Sequence, residues 1–155
     1  MTRTPALVAL LAAAGCAYSA GDLIEHESVV VRIFDNIDER RTHEFELTRA
    51  VNRELAARGV RVNDPEAPVE LRGRILEITE PTLVENPGDV PIVGAVSFRL
   101  EVTLLDRASG KEISKAEKVE AASFSSGRSE SRETARREVY DRLARWVVTR
   151  LEKDW

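Results

Sequence analysis

An unbroken alternation of apolar and polar side chains between positions 96 and 104 constrains the fold of this chain most strongly. A period of two places successive side chains on opposite faces of a β-strand. One face of this strand therefore belongs to a hydrophobic core, and the other face contacts water. The apolar positions are Val96, Phe98, Leu100, Val102 and Leu104.

Three further segments are predicted to be strands. Residues 28–34 are apolar and β-branched, as in a buried strand. Residues 69–75 alternate and have one polar face. Residues 113–122 follow a predicted hairpin turn at residues 106–110. The apolar positions of this last strand lose their phase, which indicates a bulge or an edge strand.

Two segments with apolar side chains at every fourth position are predicted to be helices. Gly59 is a natural stop for the first helix, and Ser129 or Ser131 can cap the start of the second. The apolar stripe of the first helix is Leu47, Val51 and Leu55. That of the second is Ala135, Val139, Leu143, Val147 and Leu151.

The resulting element order is β-α-β-β-β-α. We predict an α+β fold in which two helices pack on one face of a four-stranded mixed, mostly antiparallel sheet. The first helix permits a parallel, right-handed crossover between the first two strands, and the later strands form an antiparallel meander. Proline and glycine interrupt residues 80–94, which we interpret as one long loop, either mobile or functional.

The N-terminal segment has the layout of a bacterial lipoprotein signal. Arg3 precedes an apolar run at residues 6–14, and small side chains lead to Cys16, the chain's one cysteine. Cleavage after Gly15 would leave Cys16 as an acylated N-terminus. The apolar run is too short to span a bilayer, which needs ~20 residues. The alternatives are an ordinary signal peptide with a chance cysteine, or a short buried helix.

This interpretation divides the chain into a signal peptide (residues 1–15), an acylated N-terminus with a tether (16–27) and a single α/β domain (28–155). Ala17 follows the cysteine. In the Gram-negative lipoproteins that this N-terminus resembles, a residue other than Asp at that position favours the outer membrane. We therefore expect a lipid-anchored protein that faces the periplasm.

Composition and motifs argue against an enzyme and against a nucleic-acid partner. The net charge is −4, which gives no reason to expect binding to nucleic acid. His26 lies in the tether, and His43 is expected to be a solvated imidazole at a helix start. The sequence has no metal-ligand spacing, no phosphate-binding glycine loop and no nucleophile elbow. We expect no catalytic residue, no cofactor and no metal.

Arginine side chains are the remaining candidates for binding. On the second helix, Glu133 and Arg137 lie at i and i+4, where such a pair stabilises a helix by only ~0.2–0.5 kcal/mol. The alternative is that some arginines hold an anionic partner through charge-assisted hydrogen bonds. The candidates near the second helix are Arg128, Arg132 and Arg136. Those on the polar faces of strands are Arg72, Arg74 and Arg99.

Short motifs in a consistent order resemble the lipopolysaccharide-assembly lipoprotein family, LptE. They lie at residues 30–36 (VVRIFDN), 46–51 (ELTRAV), 71–75 (LRGRI) and 109–111 (SGK). Residues 16–21 (CAYSAG) are similar to the family's opening, a lipidated cysteine followed by Tyr-x-x-Gly. The family's fold, two helices against a four-stranded sheet, agrees with the element order predicted above.

The resemblance implies an outer-membrane lipoprotein that plugs the lumen of the LptD β-barrel, helps this barrel to assemble and binds passing lipopolysaccharide. The family's lipopolysaccharide-contacting residues cannot be transferred by position, so the six candidate arginines rest on their charge alone. The main alternative is an outer-membrane lipoprotein that serves as an auxiliary subunit of an ABC-type envelope transport system. A lipid-anchored hydrolase and a purely structural envelope lipoprotein are two further alternatives.

Overall fold

The computed structural model describes residues 26–37, 42–85, 91–125 and 131–152. Within these residues two helices accompany a seven-stranded mixed sheet. The strands are β1 (Ser28–Val31), β2 (Asp35–Asn36), β3 (Arg61–Val62), β4 (Val69–Thr79), β5 (Thr82–Glu85), β6 (Pro91–Asp106) and β7 (Glu112–Ser125). The helices are α1 (His43–Ala57) and α2 (Arg132–Thr149). The predicted signal peptide and Cys16 lie outside the described residues.

The predicted α+β class with two helices is confirmed, but the predicted number of four strands is wrong. β1 and β2 both pair in parallel with β4, and a break at residues 32–34 separates them. β4 and β5 both pair with β6 and are separated by two residues. β3 is an additional short strand beside β1. The three additional strands are short, with two residues each in β2 and β3 and four in β5, and segments of this length are too short for a count of periodicity to detect.

Residues 80–94 are not one continuous loop, as the sequence suggested. β5 and the start of β6 lie within this stretch and pair in an antiparallel manner, with Thr82 opposite Gly94. Pro81 precedes β5, and Pro91 is the first residue of β6. A proline is tolerated at the start of a strand because its missing N–H is not needed there. Residues 86–90 lie outside the described part of the chain.

The order of pairing follows the predicted connections. α1 lies between β1 and β4, which are parallel neighbours, while β4, β6 and β7 are antiparallel. The predicted irregularity of the last strand is confirmed. The register shifts so that Leu104 faces Ser114 and Leu105 faces Glu112, which leaves Ile113 as the extra residue of a bulge. Among the described strands, β7 pairs only with β6.

One face of the sheet and both helices enclose a single hydrophobic core. All five apolar positions of the alternation in β6 are at most 5% exposed, which confirms the predicted buried face. The apolar stripes of α1 and α2 belong to the same cluster of buried side chains. In the described residues no helix covers the opposite face. None of the described helices is long and apolar enough to cross a membrane.

Local signals correctly placed the end of α1, the start of α2 and the hairpin turn. Gly59, at a φ of 79°, donates its N–H to the carbonyl of Ala56 and ends α1. The Ser131 hydroxyl accepts the N–H of Thr134 at 3.1 Å and caps α2. In the predicted β6–β7 turn, Gly110 adopts a φ of 69°. These three positions were predictable because each depends on the backbone of its own segment.

Candidate functional site

The structure divides the candidate arginines between the two sides of the sheet. Arg72, Arg74 and Arg99 alternate with buried side chains and therefore project from the face that has no helix. Arg132 and Arg136 lie on α2, on the helix-covered side. Arg128 lies outside the described residues. The five described positions thus do not form one continuous binding site.

On the helix-free face, charges of opposite sign alternate across neighbouring strands. Arg99 lies 3.2 Å from the Glu77 carboxylate and 3.7 Å from that of Glu117. Lys115 lies 3.0 Å from Glu101. These side chains are at least partly exposed, and such pairs contribute about 0–1 kcal/mol each. This face is therefore a polar surface of mixed sign, without an excess of positive charge.

Arg72 is engaged by a buried carboxylate at the margin of the same face. Glu70 is only 6% exposed. Its two oxygens lie 2.7 Å from Nε of Arg72 and 3.1 Å from Nε of Arg32. Burial alone would raise the pKa of Glu70, but the hydrogen bonds and positive charges of Arg72 and Arg32 outweigh it and hold the pKa below the usual 4.5. Arg72 thus has a structural partner already.

A second cluster forms where α2 begins, and we call Glu80, Phe124, Arg132, Glu133 and Arg136 the Glu80 cluster. Glu80 lies between β4 and β5, and its two oxygens contact two different guanidinium groups. Oε2 lies 3.4 Å from Nη1 of Arg132, and Oε1 lies 3.2 Å from Nη2 of Arg136. The two arginines are one helical turn apart and therefore share a face of α2. This is the one place where candidate arginines converge within the described residues.

Aromatic packing fixes the position of this cluster. The guanidinium carbon of Arg132 lies 5.5 Å from the centroid of the Phe124 ring, within the range of a cation–π contact. The Phe124 ring rests on Gly94, where a β-carbon would come within 2.6 Å of the ring. Gly94 faces Thr82 on one side and Phe124 on the other, so three strands meet at this row. The sheet thereby holds Phe124 beneath the arginine.

Sequence reasoning did not predict a shallow groove of about 230 Å³ between α1 and α2. It is lined by Glu46, Arg49, Ala50, Arg53, Glu133, Arg137, Tyr140 and Asp141. Three arginines face three carboxylates there, and Arg53 lies 3.2 Å from Asp141 across the groove. With equal numbers of both signs, the groove offers no preference for an anion.

His43 is buried, which corrects the expectation of a solvated imidazole. It is 3% exposed, and its Nδ1 lies 2.6 Å from the hydroxyl of Tyr140, which is equally buried. The cause is helical spacing, because position 43 lies one turn before Leu47 on the apolar stripe of α1. Burial, and next the charge of Glu46, raise the pKa of the Tyr140 phenol. Tyr140 also lines the groove between α1 and α2, but both side chains are 3% exposed, and we therefore interpret the pair as part of the core.

In the described residues, no group of three or more His, Cys, Asp or Glu side chains could hold a metal ion. Among the same residues, the groove between the helices is lined by no histidine, and its carboxylates lie among arginine side chains, as Asp141 does beside Arg53. The convergent Glu80 cluster is therefore the strongest candidate for binding, and its chemistry suits an anion that guanidinium groups recognise.

The fold is similar to those of several solved bacterial proteins. One is the PelC dodecamer from Paraburkholderia phytofirmans, at 20% identity over 97% of this chain and 96% of that chain, with a TM-score of 0.60. Another is protein XCC0632 from Xanthomonas campestris, at 11% identity over 80% and 82% of the chains, with a TM-score of 0.59. At these identities the likeness concerns the fold alone.

A third structure is the hypothetical protein CT253 from Chlamydia trachomatis, at 15% identity over 79% of this chain and 94% of that chain, with a TM-score of 0.57. No curated protein sequence matches the chain. A family model described as lipopolysaccharide-assembly, LptE, matches residues 27–151. This span runs from the residue before β1 to the residues after α2, and it contains the whole Glu80 cluster. The chain therefore belongs to the LptE lipopolysaccharide-assembly family.

Proposed function

We propose that this protein is a lipid-anchored outer-membrane component of lipopolysaccharide assembly. It sits in the lumen of an LptD-type β-barrel, helps this barrel to assemble and contacts lipopolysaccharide in transit. The observation that carries the proposal is the family match over residues 27–151, which covers nearly all of the folded domain. In this role the protein binds and positions its partners and catalyses no reaction.

The surface of the domain supports a location inside a barrel. Porin-like barrels have polar, water-filled interiors. The helix-free face, with its alternating pairs around Arg99 and Lys115, offers such an interior many hydrogen-bonding groups at little net charge. An apolar face there would instead favour aggregation or a membrane contact.

Acylation of Cys16 would supply the anchor. A single acyl chain gives marginal membrane binding, whereas two or more hold a protein stably. A short tether would confine the anchored domain to the membrane surface that holds its barrel, and this confinement raises the effective concentration of the domain at the barrel. Anchor and domain would thus have separate roles, and they can be tested separately.

Lipopolysaccharide carries phosphate groups, which match the planar, two-pronged donor geometry of arginine. Arg72 and Arg99 are paired with different carboxylates and share no common partner, and they lie on a different side of the sheet from α2. Arg132 and Arg136 converge on a single point, as two donors for one anionic group must. We therefore assign the primary phosphate contact to the Glu80 cluster, with Arg128 as its neighbour in sequence.

The first experiment is an affinity purification of the full-length, acylated protein from detergent-solubilised outer membrane. We expect one large β-barrel to co-purify in equimolar amount. The Cys16→Ser protein is the matched control, and it should retain the barrel in detergent while losing membrane attachment. Recovery of an ABC-type transporter, or of a homo-oligomer without a barrel, would contradict the proposal, and the transporter would favour the auxiliary-subunit alternative.

The lipopolysaccharide contact is tested with Arg132→Gln/Arg136→Gln. Glutamine is preferable to a charge reversal, because new carboxylates beside Glu80 and Glu133 would repel them and destabilise the start of α2. We expect affinity for lipopolysaccharide to fall about tenfold or more, since each lost charge-assisted bond typically costs about 1.5–3 kcal/mol. Substitution of the α2 pair Arg142→Gln/Arg145→Gln removes the same charge away from the Glu80 cluster and should change little.

A further inference from the structure

Glu80 bridges the two arginines as an anionic ligand would. Each of its oxygens contacts one guanidinium group, so a single carboxylate serves two cations. Its side chain is 22% exposed and that of Arg132 is 58% exposed. Solvent, and hence a ligand, can therefore reach both partners. A fully buried bridge would instead be a fixed part of the core.

The bridge leaves binding capacity unused. Its contacts of 3.2 and 3.4 Å exceed the ~2.7–2.9 Å of well-formed charge-assisted hydrogen bonds. Nε of Arg136 is buried and has no hydrogen-bond partner among the described residues. A phosphate monoester carries about −1.5 to −2 charges at neutral pH and three acceptor oxygens, against one charge and two oxygens for Glu80. It therefore offers the two guanidinium groups more charge and more acceptors than the carboxylate does.

The surroundings of the bridge suit an amphiphile. Phe124 lies under Arg132, and β5 begins two residues after Glu80. Two apolar side chains of that strand are largely solvent-exposed, Leu83 at 56% and Val84 at 49%. The carboxylate that bridges the two arginines and these two apolar side chains thus lie on one short segment. This combination matches a lipid that carries both phosphate and acyl chains. A small hydrophilic anion would leave the apolar side chains without a contact.

We infer that Glu80 is a built-in counter-ion that occupies the phosphate position between Arg132 and Arg136 and leaves it when lipopolysaccharide binds. Glu80 thereby sets the affinity of the site. It neutralises the arginines in the empty state, and only a ligand group with more charge and more acceptors than a carboxylate displaces it. Since lipopolysaccharide is taken as the ligand, this inference rests on the proposed function.

The test compares lipopolysaccharide affinities of the full-length acylated protein, Glu80→Gln and Glu77→Gln in detergent. Glu77 is the matched control, because it is an exposed carboxylate paired with an arginine on the other face of the sheet. We expect Glu80→Gln to bind about two- to thirtyfold more tightly, the range if both competing ion pairs have ordinary surface strength. Glu77→Gln should bind as the wild type does.

Two further arms identify the cause of a gain. In the Arg132→Gln/Arg136→Gln background, Glu80→Gln should no longer raise the affinity, because the groups that it releases are missing. Lipopolysaccharide stripped of its phosphates should show no gain with Glu80→Gln. A gain that persists in either arm would overturn the displacement of Glu80 by phosphate.

The outcomes separate the two proposals. If the wild type does not bind lipopolysaccharide, the proposed lipopolysaccharide contact fails and the inference fails with it. If the wild type binds and Glu80→Gln binds equally or more weakly, only the inference is overturned. Should Glu80→Gln not fold, Glu80→Asp replaces it. The shorter side chain cannot span both guanidinium groups, so a smaller gain in affinity is expected and an unchanged affinity contradicts the inference.

Discussion

Phe34 packs directly on the backbone of Gly73, and the substitution Gly73→Ala probes this contact. A β-carbon at position 73 would lie 2.5–2.6 Å from three carbon atoms of the Phe34 ring. The ring cannot turn away into solvent, because Phe34 is 1% exposed and its backbone N–H is bound to the Thr48 hydroxyl at 3.0 Å. The core must therefore absorb the added methyl group by shifting the ring or the strand.

Two opposing effects set the magnitude. Overpacking of a tightly packed core costs about 1–3 kcal/mol. Replacing a glycine within a strand by alanine recovers about 0.5–1 kcal/mol, since alanine loses less backbone entropy on folding. We expect Gly73→Ala to lower the free energy of unfolding by about 1 kcal/mol. At a urea m-value of about 2 kcal/mol/M, the unfolding midpoint then falls by about 0.5 M.

Urea unfolding of the unacylated Cys16→Ser protein measures this change. Gly94→Ala is the matched control, because its β-carbon would also meet an aromatic ring at 2.6 Å. That ring belongs to Phe124, which is only partly buried and can move aside, so the loss should be smaller. In a Phe34→Leu background the cost of Gly73→Ala should shrink. An equal cost in both backgrounds, or a larger cost at Gly94, would refute the explanation by ring contact.

Two further substitutions test buried polar groups. Tyr140→Phe removes the phenol hydroxyl that bonds the imidazole of His43. We expect the free energy of unfolding, measured by heat or urea, to fall by about 1–3 kcal/mol. An unchanged free energy would mean that this hydrogen bond makes no net contribution to stability. Glu70→Gln removes the acceptor charge for Arg32 and Arg72, and we expect a loss of about 1–3 kcal/mol at pH 7. Because the folded state lowers the pKa of Glu70 below 4.5, this contribution is complete above that pH and is lost as the pH falls through the folded pKa. The difference between wild type and Glu70→Gln should therefore narrow in acid, and a difference independent of pH would contradict the assignment.

Features that depend on the backbone of one segment were predictable from the sequence. The alternation in β6 fixes which side chains are buried, and Gly59 and Ser131 end and begin helices through bonds within a few residues. The number of strands was not predictable in the same way. Whether a bent segment such as residues 28–36 counts as one strand or two depends on its pairing with β4, which is decided by the tertiary fold.

The burial of His43 follows from the spacing of the apolar positions in α1, although its residue type suggests a solvated side chain. Positions 43, 47, 51 and 55 continue one apolar stripe at a spacing of four residues, so the helix itself points His43 toward the core. A histidine in a core needs a partner for its ring nitrogen, and that partner is Tyr140, 97 positions later in the chain. No local sequence pattern indicates such a distant partner. For that reason the residue type alone suggests a solvated side chain.

Partners that are distant in sequence also explain why the number of arginines overestimates the positive charge that is available to a ligand. The spacing of Arg132 and Arg136 places them on one helical face, but the carboxylate that bridges them is 56 positions from Arg136 in sequence. Arg99 likewise finds its carboxylates on two neighbouring strands. Among the described candidates, Arg99, Arg132 and Arg136 are therefore paired with carboxylates that only the fold brings near them. What distinguishes a binding site is then whether a ligand can outcompete such a partner. The Glu80 carboxylate is 22% exposed and its contacts measure 3.2 and 3.4 Å, whereas the Glu70 carboxylate is 8% exposed with contacts of 2.7 and 3.1 Å, so Glu80 is the easier of the two to displace.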